Sequence, residues 1–230
     1  MTTSKLSAKK LLVASVALSA ALGLGACSSD SGTAAASDSS SSSSAARPEP
    51  IASLPAIPAG GSTAVALDAT FVGALGTLGL TPGTLGNATL ADGSVSFPIT
   101  GGTVTVFDKS SGYRPYVQGT LLHQNSGLSL TAGGTTVELT NFTVDPGTPA
   151  RLFGDVAVNG QQAAASAPLF DLNGSTLNPI SMDAEGNAVL QGTTVELSPE
   201  AAALLNTTFG TDALAGGLVI GIATITVPTS

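Results

Sequence analysis

Residues 134–144 read Gly-Thr-Thr-Val-Glu-Leu-Thr-Asn-Phe-Thr-Val. Val137 and Leu139 alternate with polar residues, which is the pattern of a strand that buries one face. Phe142 and Val144 continue the alternation on even positions, so its phase changes near Asn141. One added residue turns every later side chain to the opposite face of a sheet. The stretch therefore predicts a strand with a β-bulge or a register break near Asn141.

Short alternating segments surround this stretch on both sides. Residues 51–230 are rich in Gly, Thr, Val and Leu, and turn signals recur about every eight to twelve positions. This pattern is typical of a single antiparallel sandwich or barrel-like domain that is mainly β. Two short helices are predicted, at about 69–78 after Asp68 and at about 199–206 after Ser198. Asp and Ser are both preferred as helix N-caps.

The sequence also contains an internal similarity. Residues 134–139 recur letter for letter as 192–197. A strand, a capping residue and a helix are repeated as well, since Asp68 and Ser198 follow similar strands. We interpret this as two related βα units that pack as neighbours and close one sheet. Chance likeness between strands rich in Thr and Val is the alternative, because short β patterns are degenerate.

The first 27 residues have the organisation of an export signal. Lys5, Lys9 and Lys10 precede an apolar run over 11–24, which is too short to span a bilayer. The run ends in Leu-Gly-Ala-Cys at positions 24–27, which resembles the lipobox of bacterial lipoproteins. That resemblance implies that residues 1–26 are removed and that Cys27 is acylated. An ordinary secretory signal with an incidental cysteine is the alternative.

A polar segment separates this anchor from the β-rich region. Residues 27–50 are mostly Ser, Ala, Gly and Thr, a composition that cannot bury enough apolar surface to fold. We predict a disordered tether there and a cell-envelope location, with the β domain of residues 51–230 exposed on the outer face of the membrane. Cys27 is the only cysteine, so its acylation would leave no thiol for a disulfide or a metal site.

The charge of the exported part excludes some partners. The leader holds three of the seven Lys and Arg residues, which leaves four basic residues against fifteen acidic ones, a net charge of −11. Nucleic acid is excluded as a partner, because binding it requires clustered Lys and Arg. Attraction of the whole domain to anionic headgroups is disfavoured for the same reason. The predicted partners are the membrane, through the lipid on Cys27, and a small apolar ligand or a cell-wall component.

Residues 109–123 concentrate the side chains that are rare elsewhere. Tyr113, Arg114, Tyr116 and His123 include both tyrosines and the only histidine of the chain. Residues 119–130 have the spacing Gly, three residues, His, three residues, Gly-Leu-Ser-Leu. This stretch is similar to the one around the histidine in secreted HtaA-type haem-binding domains, which are β-rich modules of bacterial iron uptake.

The resemblance implies a haem site. Tyr113 or Tyr116 would be the axial ligand, and His123 its hydrogen-bond partner or a second contact, with Arg114 beside them. The chain departs from the family because it lacks the segment with Trp and other aromatic residues near the domain start. The alternative is that the tyrosines cover a loop and His123 ends a strand, in which case no cofactor is needed.

The sequence offers little for catalysis. It has no Gly-x-Ser-x-Gly elbow, and no spacing selects a pair of carboxylates. Asp183, Glu185 and Asn187 begin like a calcium loop, but the later ligands of that motif are missing, so we predict a polar turn and no metal site. We therefore predict a non-enzymatic binding or structural role, with haem or small-ligand binding as the alternative and an envelope hydrolase as a second alternative.

Acylation of Cys27 can be tested by Cys27→Ala. We expect this variant to appear in the culture medium or in the soluble fraction. Cys27 is the only cysteine, so its replacement would remove every acyl chain that stable anchoring requires. Fractionation followed by immunodetection measures this. Unchanged retention in the membrane would contradict acylation at Cys27.

Overall fold

The computed structural model describes residues 47–229. The leader, Cys27 and the tether up to residue 46 lie outside the described residues, so acylation at Cys27 stays a prediction. Residues 47–50, which the sequence assigned to the tether, are described and have no regular secondary structure. No helix between 47 and 229 is long and apolar enough to cross a membrane.

Thirteen strands and two helices make up the described residues. In chain order they are β1 (Ala52–Leu54), β2 (Ser62–Leu67), α1 (Ala69–Thr77), β3 (Thr81–Gly86), β4 (Thr89–Ala91), β5 (Ser94–Pro98), β6 (Gly101–Val106), β7 (Val117–Ala132), β8 (Thr135–Asp145), β9 (Arg151–Val158), β10 (Gln161–Asn173), β11 (Ser181–Met182), β12 (Ala188–Leu197), α2 (Pro199–Phe209) and β13 (Val219–Val227). A single turn of 3-10 helix at Lys109–Ser111 lies between β6 and β7.

All the strand pairings are antiparallel and belong to one curled sheet. Its order is β1-β6-β7-β8-β9-β10-β12-β13-β2-β5-β4, with β11 added to β12 and β3 added to β7. The mainly β, barrel-like prediction is confirmed, in the form of a half-barrel and not of two stacked sheets.

Both helices begin at the predicted caps. The Asp68 carboxylate accepts hydrogen bonds from the backbone N–H groups of Thr70 and Phe71, at 2.8 and 3.3 Å. The Ser198 hydroxyl accepts from the backbone N–H of Ala201 at 3.0 Å. α2 continues to Phe209 and ends at Gly210, whose φ of 65° is the left-handed conformation that glycine adopts readily. The second helix is thus longer than the predicted 199–206.

Two strands are longer than the sequence predicted. The sequence Gln-Asn-Ser-Gly at 124–127 predicts an interruption of a strand over 121–130, but these residues form a bulge inside the continuous strand β7. The alternation of residues predicts a hairpin with a first arm over 152–158 and a return strand over 167–172, but the return strand β10 starts at Gln161, directly after the Asn159-Gly160 turn. Both errors have the same cause, because bulges break the alternation of apolar and polar residues while the strand continues.

A row of bulges on β7, β8 and β10 is linked through Asp155 on β9, which lies between β8 and β10. Asn125, Asn141 and Ser166 have positive φ values of 60°, 55° and 49°. The side-chain oxygen of Asn141 accepts from the backbone N–H of Asn125 at 3.1 Å, and its amide nitrogen donates to Asp155 at 3.0 Å. The other carboxylate oxygen of Asp155 accepts from the backbone N–H of Ser166 at 3.1 Å. Side chains thus satisfy backbone groups that the bulges remove from the ladder.

This row confirms the predicted bulge at Asn141 and shows its effect on burial. Val137 and Leu139 are buried before the bulge, and Phe142 and Val144 are buried after it. The changed phase keeps the apolar residues of a long strand on the concave face of the sheet, whereas an unbroken strand would turn half of them to water.

The two similar βα units do not pack as direct neighbours, which corrects the expectation. β2 and β12 lie on opposite sides of β13 and pair with it, so one strand separates them. Because both are antiparallel to β13, they are parallel to each other, and α1 and α2 follow them in equivalent places. The final strand β13 thus forms hydrogen bonds with one edge of each unit and joins the two units in one sheet.

Replacing Asn141 by Ala tests the row of bulges. The variant loses an acceptor for one backbone N–H and a donor to Asp155, and alanine tolerates a positive φ less well than asparagine. We expect the free energy of unfolding to fall by about 1–3 kcal/mol in urea denaturation. Asn178→Ala is the control, because Asn178 is exposed and its side chain makes no hydrogen bond within residues 47–229. Equal stability of Asn141→Ala and the wild type would contradict this role.

Candidate functional site

The two tyrosines lie on the loop 107–116, which joins β6 to β7. Phe107 is fully buried, and the Tyr113 ring packs edge-on against it with centroids 4.8 Å apart. The Tyr116 ring lies under two cations, with the Lys109 ammonium 4.6 Å and the Arg114 guanidinium 6.0 Å from its centroid. Lys109, Tyr113, Arg114 and Tyr116 thus pack together on this loop, and neither tyrosine lines the apolar hollows described below.

His123 lies in β7 with its side chain on the concave face of the sheet. It is 1% exposed, and its ring packs against Phe97 with centroids 6.2 Å apart. Nδ1 lies 3.0 Å from the backbone carbonyl of Pro98, which can only accept, so Nδ1 carries a proton. Nε2 lies 3.1 Å from the hydroxyl of Thr63. In the neutral tautomer this nitrogen accepts the hydroxyl proton.

The buried position also fixes the charge of His123. Burial lowers the pKa of the imidazole below its ordinary value, while the backbone carbonyl of Pro98 opposes that shift. The side chain is thus neutral at physiological pH, with its one lone pair on Nε2.

The tyrosines and His123 do not meet in this structure. The loop 107–116 begins after the pair Val106–Val117, whereas His123 lies beyond the other end of the β6–β7 pairing. Val117 and His123 are six positions apart along an extended strand, a distance of about 20 Å. One haem iron therefore cannot contact His123 and either tyrosine, and the two predicted parts of the site are separate candidates.

The concave face of the sheet encloses two adjoining apolar hollows. The outer hollow lies between α1, the β3–β4 segment and the sheet, and has Phe71, Leu75 and Leu90 among its lining residues. The inner hollow is lined by His123 and Thr63 at its polar side, and by Phe142. Five residues line both: Leu67, Val95, Leu128, Phe170 and Ile220. Each hollow has a volume of ≈ 60 Å³, which is room for about four water-sized groups.

The outer hollow opens to the surface beside Leu90. This leucine is 47% exposed although it lines the hollow, and Pro82 on β3 is exposed as well. α1 lines this hollow with Phe71 and Leu75 and buries only Leu75 completely, whereas α2 buries Ala201, Ala202 and Leu205. An element with one buried anchor opens at a lower free energy than one with several.

Sequence reasoning missed Thr63 and the hollows. Thr63 shares a face of β2 with Val65 and Leu67, so its inward position could have been read from the alternation. The hollows could not, because their walls come from strands that are distant in sequence.

The charged residues elsewhere form structural contacts. Arg151 lies 2.9 Å from Asp171 and 3.1 Å from Glu200, which ties β9 to β10 and α2. Asp183 forms a turn, because its carboxylate accepts from the backbone N–H groups of Glu185 and Asn187. No group of three or more His, Cys, Asp or Glu within residues 47–229 is arranged to hold a metal ion.

Comparison with known proteins gives a likeness of fold. No family model and no curated protein matches the chain. The C-terminal domain of HtaA from Corynebacterium glutamicum has a similar crystal structure, with a TM-score of 0.51 and 14% identity over 75% of this chain and 97% of that one. A domain-swapped dimer of a variant of that domain gives 0.42 at 16% identity over 70% and 92% of the two chains. The heme binding protein HtaB of the same organism gives 0.41 at 13% identity over 75% and 93%. The first of these shows that the fold is shared.

The neutral state of His123 predicts a dependence of stability on pH. In the unfolded chain the histidine pKa is about 6.5, and in the folded chain the pKa of His123 is lower. As the pH falls through about 6.5, the unfolded state therefore binds more protons than the folded state. The contribution of neutral His123 to the free energy of unfolding is therefore fully present above about pH 7. It decreases as the pH falls from about 7 to 5, by at most about 1.4 kcal/mol per pH unit. His123→Gln should remove this slope in urea denaturation, since the chain has no other histidine. An unchanged slope in the variant would contradict a neutral, buried His123.

Proposed function

We propose that the chain is a lipid-anchored, cell-surface binding protein that takes a small apolar ligand into the concave face of its sheet, with haem as the first ligand to test. The observation that carries the proposal is the apolar interior, which opens beside α1 and has a single imidazole at its inner end. This alternative of the sequence analysis is better supported than a purely structural role.

The lining of the hollows favours an apolar ligand. Leucine, valine, isoleucine and phenylalanine dominate both walls, and neither contains an Asp, Glu, Lys or Arg. Ligand sites are commonly apolar with a few polar groups that fix orientation, which here are His123 and the hydroxyls of Thr63 and Thr193. The lack of a carboxylate in either lining also disfavours the hydrolase alternative, which requires two.

The present volume sets how such a ligand would enter. A haem is larger than either hollow, so its binding requires α1 to move outward and join the two spaces to the opening beside Leu90. α1 is suited to this movement because Leu75 is its only fully buried side chain. Apolar groups of the ligand would replace the contacts that α1 gives up.

His123 is the side chain in the interior that can bind iron. Its Nε2 lone pair accepts from the Thr63 hydroxyl at 3.1 Å, so that hydroxyl would give way to the metal. The bond from Nδ1 to the Pro98 carbonyl would hold the ring in place, as partners of metal-bound histidines commonly do. Tyr113 and Tyr116 stay an alternative iron contact at the surface loop, where Lys109 and Arg114 would face the propionates.

The comparisons support the proposal only through the fold. The chain shares its fold with the HtaA domain, and HtaB is a heme binding protein, but neither likeness places a ligand in this chain. The site therefore rests on the described residues.

Haem titration of wild type and variants tests the function and locates the site. We expect a Soret change on adding haem, and about tenfold or more weaker binding by Leu90→Glu, because a carboxylate at the opening resists desolvation. Ile180→Glu is the matched control, since Ile180 is 62% exposed and lines neither hollow. Thr63→Val should strengthen binding by freeing Nε2, and His123→Gln should alter the spectrum.

Two outcomes would contradict the proposal in different ways. Ligand binding in the interior would be excluded if haem caused no Soret change and if an apolar dye either did not bind or bound equally well to the wild type and to Leu90→Glu. Haem binding that is lost in Tyr113→Phe or Tyr116→Phe and unchanged in Leu90→Glu and His123→Gln would place the site on the loop 107–116.

A further inference from the structure

The unpaired cations of the described chain lie together at one end of the domain. Residues 47–229 contain four Lys and Arg residues, and Arg151 is the one that forms ion pairs. The other three are Arg47, Lys109 and Arg114. None of them lies within 4.0 Å of a carboxylate oxygen of the described residues, although the chain is strongly acidic.

Aromatic rings hold these three cations in one patch. The Arg47 guanidinium lies 4.8 Å from the centroid of Phe107, and the same ring packs edge-on against Tyr113. Lys109 and Arg114 both lie over Tyr116. The backbone N–H of Phe107 donates to the carbonyl of Tyr116 at 2.7 Å, which joins the two halves. We call this set, Arg47, Phe107, Lys109, Tyr113, Arg114 and Tyr116, the cationic-aromatic patch.

The patch includes the residue at which the tether joins the domain. Arg47 is the first described residue, and its guanidinium also donates to the Gln118 side chain at 3.3 Å. The chain before Arg47 leads back through 19 residues, 28–46, to Cys27. If these residues form the tether predicted from the sequence, a chain of that length would span about 25 Å on average. A lipid on Cys27 would then keep the patch near the membrane.

We propose that the cationic-aromatic patch docks on the anionic phospholipid headgroups of the membrane to which the chain is anchored. Lys and Arg near such a surface are attracted to it, and tyrosine favours the interface between headgroups and water. The acidic remainder of the domain would be repelled, so docking would fix which end faces the membrane. This inference rests on the proposed anchor at Cys27, but not on ligand binding in the interior.

The overall negative charge does not prevent this contact. Charges separated by more than about 8–10 Å are largely screened at physiological salt, so the headgroups interact mainly with the side chains nearest to them. The acids closest along the chain to the patch residues are Glu49 and Asp108, and the Asp108 carboxylate accepts a hydrogen bond from the backbone N–H of Ser110. Tethering also raises the local concentration to the millimolar range, so a weak contact is sufficient.

Intrinsic fluorescence reports on the patch alone. The chain contains no tryptophan, and its two tyrosines are both patch residues. Full-length chain purified from membranes is incorporated into vesicles of phosphatidylcholine, with or without phosphatidylglycerol. Both vesicle types carry a lipid with a quencher at headgroup level. Association with the phosphatidylcholine vesicles themselves reports the anchor, so a missing anchor and missing docking give separate results.

We expect stronger tyrosine quenching in the vesicles that contain phosphatidylglycerol, and loss of the difference at about 1 M salt, where the screening length falls to about 3 Å. Lys109→Gln and Arg114→Gln should each weaken the docking equilibrium about fivefold. Gln162→Glu changes the net charge by the same amount on an exposed residue beside the β9–β10 turn. Gln162 is level with Ser129, near the end of β7 that is opposite the patch, so this variant should have no effect.

Equal quenching in the two vesicle types by an anchored chain would overturn the proposal. So would an effect of Gln162→Glu as large as that of Lys109→Gln, because it would show that net charge, and not the patch, governs the contact.

Discussion

The hydrogen bonds around Asn141 are the constraint on which the rest of the structure depends. One asparagine side chain satisfies the backbone of β7 and reaches the Asp155 carboxylate on β9, which in turn satisfies the backbone of β10. Long strands without such a row would twist but would expose half of their apolar residues. With it, one sheet curls and keeps a concave apolar face along its whole length. The concave face of the sheet thereby supplies most of the hydrophobic core of the domain.

The concave face explains the position and the state of His123. β7 carries this residue inward just before the bulge at Asn125, and the interior it enters contains few polar partners. Burial therefore keeps the imidazole neutral, and the Pro98 carbonyl and the Thr63 hydroxyl complete its hydrogen bonds. The same interior is incompletely filled, because α1 contributes one buried leucine where α2 contributes three buried side chains. This interior suits an apolar ligand, because it has an apolar lining, a neutral imidazole and a helix, α1, that is anchored by one buried side chain.

Much of the fold could be predicted from the sequence, because its signals are local. Asp68 and Ser198 marked both helix starts, and the change of phase at Asn141 marked its bulge. The continuity of β7 was missed, since the bulge around Asn125 resembles a turn in sequence. The site was harder to predict, because it depends on contacts between distant strands. Tyr113, Arg114 and Tyr116 proved to be neighbours, whereas the separation of His123 from them follows from the pairing of β6 with β7, which no spacing in the sequence reveals.

The proposals give two parts of the β6–β7 region different tasks, with a ligand taken up beside His123 within β7 and the membrane contacted at the loop 107–116, which precedes β7. Amide hydrogen exchange of the full-length chain with and without haem tests their central claim most directly, because it follows every element at once. We expect increased protection in β2 and around His123 and altered exchange in α1, with no change in the loop 107–116. A change confined to that loop, with α1 and the strands of the interior unaffected, would contradict this claim.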